Sequence, residues 1–438
     1  MFLVLHPVGN NAIRMLVKAM SDADALHSFH TSLAYHDGLQ SKILPRFVVE
    51  QLKRRSFPGI PKQKVMTYPY FNLARIAAQR MNFTKLVHNA SGRLSVDKLY
   101  HYIDSHVANY IEAQPGEQLS SVYGFDGKCL TTFKRARKLG HIRLYYEAAC
   151  GYTPHVARVM AEEKELNPAW QTSIPVIQPA TIERHEEELH LADHVIVASS
   201  IVKNDLIKHK INKTISVIPY GSPQISVSPH VSGSPQASGS LQASGSPLPS
   251  VSMAHHRPPL KVMYVGSLSQ QKGISYLFDA FIKAGGHQNL DITIVGQDYS
   301  LGRNKALAGH LKQYQWYKSA PNSQIIQLLK SADVLVLPSL TEAFGLVVLE
   351  ALSQGTAVIV SDQCGASDLI VHGGNGYIVP VRNSDAIAEK LTVLDQDRDQ
   401  LSAMKCAAIE TARKYSWQQY AASIRNSLGI EHNGISCQ

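Results

Sequence analysis

The chain has 438 residues, 44% of them hydrophobic and 18% charged, which is enough apolar material for the cores of two α/β domains. Its formal net charge of +9 favours anionic partners. Its five scattered cysteines form no CxxC pair, which argues against a disulfide framework or a cysteine zinc site and favours a reducing cytoplasm. No stretch approaches the ~20 consecutive apolar residues that a membrane span needs, so we expect a soluble or at most peripheral protein.

The first half of the chain alternates short β-branched runs with helical patterns, as in a parallel sheet covered by helices. Strands are predicted at Phe2–Leu5, Ser28–Thr31, Ser120–Tyr123, Ile142–Glu147, His194–Ala198 and Ile215–Ile218. The turn after the first strand contains Gly9 and Asn10, and asparagine tolerates left-handed backbone geometry. Around the end of the fourth strand lie Glu147, Tyr152 and His155, for which we favour structural over catalytic roles.

Basic residues form two groups in this half. The first runs from Lys42 to Lys64 and includes Lys53, Arg54 and Arg55. The second contains Lys128, Lys134, Arg135, Arg137 and Lys138. Such groups are usually solvated helix faces, but they could also rest on an anionic membrane, where each basic residue contributes about 1 kcal/mol.

The composition changes abruptly between Ser222 and Pro259, where Ser, Gly, Pro and Ala dominate and SGSPQASGSLQASGSP is nearly a repeat. This segment cannot bury enough apolar area to offset its ordering entropy, so it is predicted to be a disordered linker. The predicted organisation is therefore a first domain at 1–221, a linker at 222–258, a second domain at 259–414 and a helical tail at 415–438 that returns to the first domain.

The second half shows the α/β alternation more clearly. Its strands are predicted at Lys261–Val265, Asp291–Val295, Asp333–Leu337 and Thr356–Val360, with a short edge element at Tyr377–Pro380. Its helices are predicted at Ile274–Lys283, Asn304–Gln313, Ser323–Lys330, with Asn322 as the cap, and Phe344–Gln354, which Gly355 ends. Two doubly wound domains in one chain predict a ligand cleft between the carboxyl ends of their strands.

The segment from Leu337 to Glu350, LPSLTEAFGLVVLE, carries the clearest functional signal. A buried strand ends, a polar loop follows, and Gly345 opens a helix whose free amides can bind an anion. Glu342 in the loop and Glu350 two turns into the helix could each accept hydrogen bonds from vicinal hydroxyls. Either glutamate alone would be read as a helix charge, but the strand, loop, glycine and spacing together favour a ligand site.

The stretch PSLTEAFGLVVLEALSQGTAVIVSDQCGASDLIVHGGNGYIVP resembles the E-x7-E region of retaining glycosyltransferases of family 4, which have the GT-B fold. The resemblance implies that Glu342 contacts the hydroxyls of the transferred sugar and Glu350 the ribose. It also implies that the backbone from Ala343 through Phe344, Gly345 and Leu346 to Val347 faces the donor phosphates. Its expected fold class is α/β, with two Rossmann-like domains facing across a cleft.

A second segment, YVGSLSQQKGI, also resembles this family. There Gly266 ends a strand, and a lysine at the position of Lys272 binds the diphosphate and stabilises its developing charge. Relatives usually carry an arginine directly after the glycine, where this chain has Ser267. The segment Trp316–Ala320, with Lys318, occupies the loop that reads the base, mostly through backbone groups, although Trp316 itself is better explained as a core aromatic. In the first domain, relatives place a glycine-rich loop near the acceptor and donor phosphates at the turn that here contains Gly9 and Asn10, so the resemblance implies that these two residues belong to the donor site.

These features predict transfer of a sugar from a nucleotide-sugar to an acceptor hydroxyl with retention of configuration, with Glu342 and Lys272 as the catalytic pair. The resemblance implies neither metal nor cofactor, and it leaves the donor nucleotide open between UDP, GDP and ADP. We expect a carbohydrate or lipid-linked acceptor, no nucleic acid partner, and a cytoplasmic protein with possible contact at the inner face of the membrane. The alternatives are a catalytically silent nucleotide-sugar-binding protein and a GT-B enzyme of different chemistry.

Overall fold

The structure is a computed structural model that describes residues 1–35, 55–88, 92–114, 118–225 and 257–430. Residues 226–256 of the predicted linker lie outside the described residues, as do residues 42–54 of the first basic group and residues 431–438 of the predicted tail. The domain boundaries proposed from the sequence therefore stay predictions.

Seven parallel strands in the first half of the described chain form one sheet in the order β3-β2-β1-β4-β5-β6-β7. These strands are β1 (Phe2–Leu5), β2 (Leu26–Thr31), β3 (Val65–Thr67), β4 (Ser121–Phe125), β5 (Arg143–Glu147), β6 (His194–Val197) and β7 (Thr214–Val217). The helices that accompany it are α1 (Asn11–Asp22), α2 (Pro69–Arg80), α3 (Thr84–Val87), α4 (Val96–Glu112), α5 (Leu130–Leu139), α6 (Thr153–Leu166), α7 (Pro179–Leu191) and α8 (Ser200–Lys208).

The second half forms a parallel sheet in the order β10-β9-β8-β11-β12-β13. Its strands are β8 (Leu260–Val265), β9 (Leu290–Val295), β10 (Gln315–Tyr317), β11 (Val334–Leu337), β12 (Ala357–Ser361) and β13 (Gly376–Val379). Its helices are α9 (Ile274–Lys283), α10 (Lys305–Leu311), α11 (Asn322–Ser331), α12 (Leu346–Ser353), α13 (Ser384–Gln396), α14 (Arg398–Lys414) and α15 (Trp417–Leu428). Short 3-10 turns lie at Lys62–Lys64, Pro168–Ser173, Gln270–Lys272, Gly286–Gln288 and Gly365–Leu369.

Both sheets are covered on both faces, which explains why their central strands are apolar runs rather than alternating patterns. Every residue of β1, β11 and β12 is buried. The predicted fold class is confirmed, and the predicted strands agree with the observed ones within a few residues.

Two short strands were missed, and two local predictions were wrong. The short edge strands β3 and β10 were not recognised, because each has only three residues and neither is apolar throughout. Asn322 is the first residue of α11 rather than its cap, and its side chain bonds Glu350 instead. Helix α12 begins at Leu346 and not at Phe344, because Gly345 takes the left-handed conformation with φ +93°.

The loops at the carboxyl ends of the two sheets face each other. Ser199, which follows β6, donates its hydroxyl hydrogen to the carbonyl of Ala343, which follows β11, at 2.8 Å. On another side of the interface, the buried Glu163 of α6 accepts hydrogen bonds from Gln270 at 2.7 Å and Arg382 at 3.0 Å. Helix α15 packs against α1, so the end of the described chain contacts the first domain. The cleft between the two domains is thus closed by direct polar contacts.

Candidate active site

The second sheet reverses its strand order between β8 and β11, and a crevice forms at such a point beyond the carboxyl ends of the strands. The segments that follow β8 and β11 carry Lys272 and Glu342. Their side chains form an ion pair between Nζ and Oε2, with 23% and 16% of each side chain exposed. The structure therefore brings together the two residues predicted to be catalytic.

The approach of these two segments depends on Gly273, which follows Lys272. Gly273 has φ +69°, and a Cβ at this position would overlap the carbonyl oxygen of Pro338. The amide of Leu340 donates to the carbonyl of Gln271 at 2.8 Å, which joins the same two segments through the backbone. Only a glycine allows this close contact, and the contact holds Lys272 beside the loop that carries Glu342.

Glu342 is held by the backbone on both sides. Its amide donates to Gln363 at 3.1 Å, and its carbonyl accepts from the amide of Gly365 at 2.9 Å. The neighbouring Ala343 and Phe344 are buried, and the carbonyl of Phe344 accepts from the amide of Ala366 at 2.6 Å. The segment before α12 is thus fixed against the loop that follows β12, which gives the Glu342 carboxylate a defined position.

Gly345 opens α12, and a Cβ there would lie 3.1 Å from the Cys364 Sγ and 3.2 Å from Leu337. The amides of Leu346 and Val347 stand in the first turn of the helix, where no intrahelical acceptor exists. The helix dipole adds a partial positive charge at this end. The predicted phosphate-facing backbone is therefore a helix N-terminus next to the Lys272–Glu342 pair.

Glu350 lies further along α12 and accepts a hydrogen bond from the Asn322 side chain at 2.8 Å. Burial raises the pKa of the Glu350 carboxyl above its usual value, and the bond from Asn322 opposes that rise. Sequence reasoning identified Glu350 but not its partner, because Asn322 was assigned to a helix cap. The sequence did offer a signal for this partner, because Asn322 is a polar residue at the start of the neighbouring helix α11.

The remaining predicted donor-site residues of the second domain lie around the end of β8 and at the edge strand. The Gly266 amide donates to Val295 at 3.0 Å, and Ser267 is exposed, with its carbonyl accepting from the Tyr264 hydroxyl at 2.8 Å. Lys318 is exposed just beyond the edge strand β10, and β9 separates this strand from β8, the strand that precedes Lys272.

Trp316 was predicted to be a core residue, and this prediction was wrong. Its side chain is 36% exposed and donates its indole N–H to the carbonyl of Gly296 at 2.9 Å.

Gly9 and Asn10 follow β1 in the first domain. Asn10 caps α1 by accepting the Ile13 amide at 2.9 Å, and its φ of −90° is not left-handed, so the reason given for an asparagine here was wrong. A Cβ on Gly9 would overlap the ring of the buried Phe57. Both residues therefore shape the turn, and neither lies in a left-handed conformation.

Glu147, Tyr152 and His155 take different positions. Glu147 is buried and accepts hydrogen bonds from the hydroxyls of Tyr123 and Tyr220, both at 2.6 Å. Burial raises the pKa of Glu147 to about 7, against the lowering effect of these two bonds. Tyr152 and His155 line an interdomain cavity of about 290 Å³ that also contacts Glu342.

One group of possible metal ligands was found among the described residues. It consists of His155, Asp205 and His209, whose ligand atoms lie within 4.8 Å of one another. The Asp205 carboxylate lies 2.9 Å from His155 and 3.3 Å from His209. These contacts join α6 to the end of α8.

The second basic group is not a free cationic surface. Lys134 lies 2.6 Å from Glu187, and Arg135 and Arg137 pair with Glu112 and Asp193. Lys128 is nearly buried, with 12% of its side chain exposed and Asp126 3.6 Å away. Acidic residues therefore pair with four of the five basic residues in this group. Across the described ranges, no helix has the length and apolarity that crossing a bilayer requires.

Sequence reasoning missed the nearly buried Asp126–Lys128 pair. Asp126 follows β4 directly, and β4 lies beside β1 at the point where the first sheet reverses its order. An acidic residue at the end of a predicted strand was the signal, but Lys128 was counted with the helix that follows.

The comparisons with known proteins agree with this architecture. The family model described as glycosyl transferases group 1 matches residues 253–411. A phosphatidyl-myo-inositol mannosyltransferase of Mycolicibacterium smegmatis is 34% identical over 170 residues, which are 37% of this chain and 43% of that protein. The match spans less than half the length of the curated relatives that the chain resembles.

Solved structures match over nearly the whole chain. Sucrose-phosphate synthase of Thermosynechococcus elongatus has a TM-score of 0.62 at 14% identity and covers 98% of each chain. The Anabaena protein HepE, solved in complex with UDP-glucose, has a TM-score of 0.57 at 16% identity and covers 98% of this chain and 99% of that one. At these identities the likeness establishes the fold alone. The chain therefore has the GT-B glycosyltransferase fold, and its second half carries the similarity to the glycosyl transferases of group 1.

Proposed function

We propose that the chain is a retaining glycosyltransferase that moves a hexose from a nucleotide diphosphate sugar to an acceptor hydroxyl. The observation that carries the proposal is the meeting of Lys272, Glu342 and the N-terminus of α12 at one point of the interdomain cleft. A cation, a hydroxyl-binding carboxylate and an anion-binding helix end are the groups that a diphosphate sugar requires.

The Lys272–Glu342 ion pair gives these groups an order of action. With no donor, the two charges neutralise each other at short range. A bound diphosphate offers Lys272 a doubly charged partner, which releases the Glu342 carboxylate to accept hydrogen bonds from the sugar. The first-turn amides of Leu346 and Val347 bind the phosphate oxygens, and Glu350, held by Asn322, binds the ribose.

Retention follows a front-face route in this proposal. The bond between the anomeric carbon and the leaving phosphate oxygen breaks while the acceptor oxygen approaches from the same face, and the acceptor proton passes to the leaving diphosphate. The protein supplies orientation and stabilises the charge that develops on the diphosphate. No metal ion and no further cofactor enter this scheme.

UDP-glucose is the first donor to test, because the Anabaena neighbour was solved with it. A lipid-linked acceptor is supported by the name of the mycobacterial relative, a phosphatidyl-myo-inositol mannosyltransferase, and a cytoplasmic protein at the inner membrane face would meet such an acceptor. The basic segment at residues 42–54, which lies outside the described residues, is the proposed membrane contact.

The test is a thermal-shift and hydrolysis screen of the purified chain against UDP-, GDP- and ADP-sugars. The proposal expects one donor that both stabilises the protein and is slowly hydrolysed. Stabilisation by free nucleotide without turnover of any sugar donor would favour the silent binding protein instead. Ser267 is then the residue to change, because Ser267→Arg restores the cation that relatives carry after the strand glycine.

A further inference from the structure

Two histidines and an aspartate of the first domain converge at the edge of the interdomain cavity. His155 lies in the first turn of α6, Asp205 lies in the last turn of α8, and His209 directly follows that helix. The Asp205 Oδ1 lies 2.9 Å from the Nδ1 of His155 and 3.3 Å from the Nδ1 of His209. Two imidazole nitrogens from separate elements therefore face one carboxylate oxygen.

The spacing of these three side chains suits a zinc ion. Imidazole nitrogen and carboxylate oxygen are common zinc ligands, and bonds of about 2.0–2.1 Å at tetrahedral angles separate two ligand atoms by about 3.3 Å. The two measured separations are close to this value. The ligand atoms of the two histidines lie within 4.8 Å of each other, so rotation of one ring closes the third separation. The backbone does not have to move.

His209 can release its Nδ1 to a metal ion without leaving a backbone group unpaired. In the metal-free chain this nitrogen lies 2.8 Å from the carbonyl oxygen of Asp205. The same carbonyl also accepts the backbone amide of His209 at 3.1 Å, so it stays hydrogen-bonded when the ring turns. The Tyr152 ring packs against the His209 ring with centroids 4.6 Å apart, and the Tyr152 hydroxyl donates to Glu186 at 3.0 Å. These contacts limit the orientations of the imidazole, as neighbours of metal ligands do.

One cation lies close to the group, and it has another partner. The Arg158 guanidinium is 3.3 Å from the His155 Nδ1. Its side chain is 54% exposed and lies 4.0 Å from the Glu162 carboxylate, one turn further along α6. When a cation binds, Arg158 can turn towards Glu162, which removes the like charge from the site.

The group is open to a ligand from the cavity. The side chains of His155, Asp205 and His209 are 20%, 15% and 27% exposed, so an ion can reach all three. His155 and Asp205 line the cavity of about 290 Å³, and Glu342 lies on its opposite wall. Zinc held by three protein ligands keeps a fourth position for water or for an oxygen of a bound molecule. Here that position faces the space between the two domains.

We propose that His155, Asp205 and His209 form a Zn²⁺ site, with both Nδ1 atoms and the Asp205 carboxylate as ligands and one coordination position open to the cavity. The bound ion fastens α6 to the end of α8 and adds positive charge to the first-domain wall of the cleft. The family resemblance implies no metal, and the ion takes no part in the sugar-transfer scheme above. The assignment does not depend on the proposed function, because all three ligands belong to the first domain.

The test measures metal binding by the purified chain, free of any affinity tag and stripped with a chelator. Zn²⁺ is titrated in competition with a chromophoric chelator, Co²⁺ is added as a spectroscopic probe, and Tm is recorded with each ion. We expect a Zn²⁺ site whose occupation raises Tm, and a visible Co²⁺ absorption that added Zn²⁺ removes. Mg²⁺ at the same concentration should leave Tm unchanged, because it prefers oxygen ligands.

His209→Gln and Asp205→Asn remove one ligand each, and His106→Gln is the matched control. The His106 Nδ1 lies 2.7 Å from the carbonyl of Tyr102, four residues earlier, which is the local contact that His209 makes with Asp205. We expect both ligand variants to bind Zn²⁺ at least tenfold more weakly and to lose the Co²⁺ absorption and the Zn²⁺-dependent rise in Tm. The control should keep all three. Should Asp205→Asn fail to fold, His209→Gln still tests the site, because it leaves the contact between His155 and Asp205 in place.

Equal Zn²⁺ affinity in wild type and His209→Gln would overturn the assignment, since any bound zinc would then lie at other residues. A wild-type chain that Zn²⁺ neither binds nor stabilises would overturn it as well. Both outcomes are distinct from failure of the proposed function. A chain that turns over no sugar donor but binds Zn²⁺ through these residues keeps the metal site and loses the transfer chemistry, and donor turnover without Zn²⁺ binding is the converse.

Discussion

Gly273→Ala tests whether the close approach of two backbone segments positions the Lys272–Glu342 pair that we propose to be catalytic. At φ +69° an alanine costs about 1–2 kcal/mol of left-handed strain. The new methyl group would also overlap the Pro338 carbonyl, and because that atom belongs to the backbone, relief requires a shift of the chain that costs about 1–3 kcal/mol more. The total is about 2–5 kcal/mol, equivalent to a Tm decrease of at least about 4 °C for a domain of this size.

The assay pairs thermal unfolding with donor hydrolysis, using Gly373→Ala as the control. Gly373 has φ +79° in the same domain, but a Cβ there would have no atom within 4 Å. The control therefore carries the strain without the overlap and should lose about 1–2 kcal/mol with normal hydrolysis. Gly273→Ala should also lose hydrolysis by about 100-fold, since displacements near 1 Å have that effect. Equal Tm values and full hydrolysis in both variants would refute the reasoning.

Three further predictions concern the donor site, a buried acid and the membrane. Glu342→Gln should lower turnover by about 100-fold while nucleotide affinity changes little. Glu350→Ala should lower both turnover and nucleotide affinity. Comparable losses of nucleotide affinity in the two variants would contradict the assigned roles. Glu147 has a folded pKa of about 7, above its ordinary 4.5, so its contribution to stability is present at low pH and is lost as pH rises from 4.5 through 7. Between pH 5 and pH 8, Glu147→Gln should therefore reduce the loss of unfolding free energy by up to about 3 kcal/mol, which is measured as a smaller fall in Tm. An unchanged pH profile would show that Glu147 does not titrate in this range. Charge reversal at Lys53 and Arg54 should abolish sedimentation with anionic vesicles while Lys138→Glu does not, and unchanged sedimentation would end the membrane hypothesis.

The sequence predicted the fold because its signals were local. Runs such as Val334–Leu337 are apolar on both faces and therefore indicate central parallel strands. The local pattern also favoured a ligand site around Glu342, whereas Lys272 was identified through the resemblance, because a single lysine after a strand is usually a surface residue. The resemblance to a known family then supplied roles that periodicity alone could not.

What the sequence could not predict depends on contacts between distant segments. Asn322 was assigned to a cap because its bond to Glu350 joins two helices that are separate in sequence. Lys128 was read as a surface charge because Asp126 and Tyr100, which bury it, come from a strand end and a helix. The left-handed Gly345, by contrast, moves the start of α12 by two residues through a purely local conformation that a helical pattern does not reveal.

The contacts of Glu163 across the domain interface affect how readily the cleft can open. Its fully buried carboxylate is bonded by Gln270, Tyr276 and Arg382, all from the opposite domain. Separation of the domains breaks these bonds but returns the carboxylate to water, so the loss of pairing is offset by hydration. This contact therefore contributes little to the free-energy difference between open and closed forms, and a ligand that prefers one form can shift the balance between them. Gln270 lies two residues before Lys272, so opening of the cleft would break a contact close to the lysine that we propose binds the donor diphosphate.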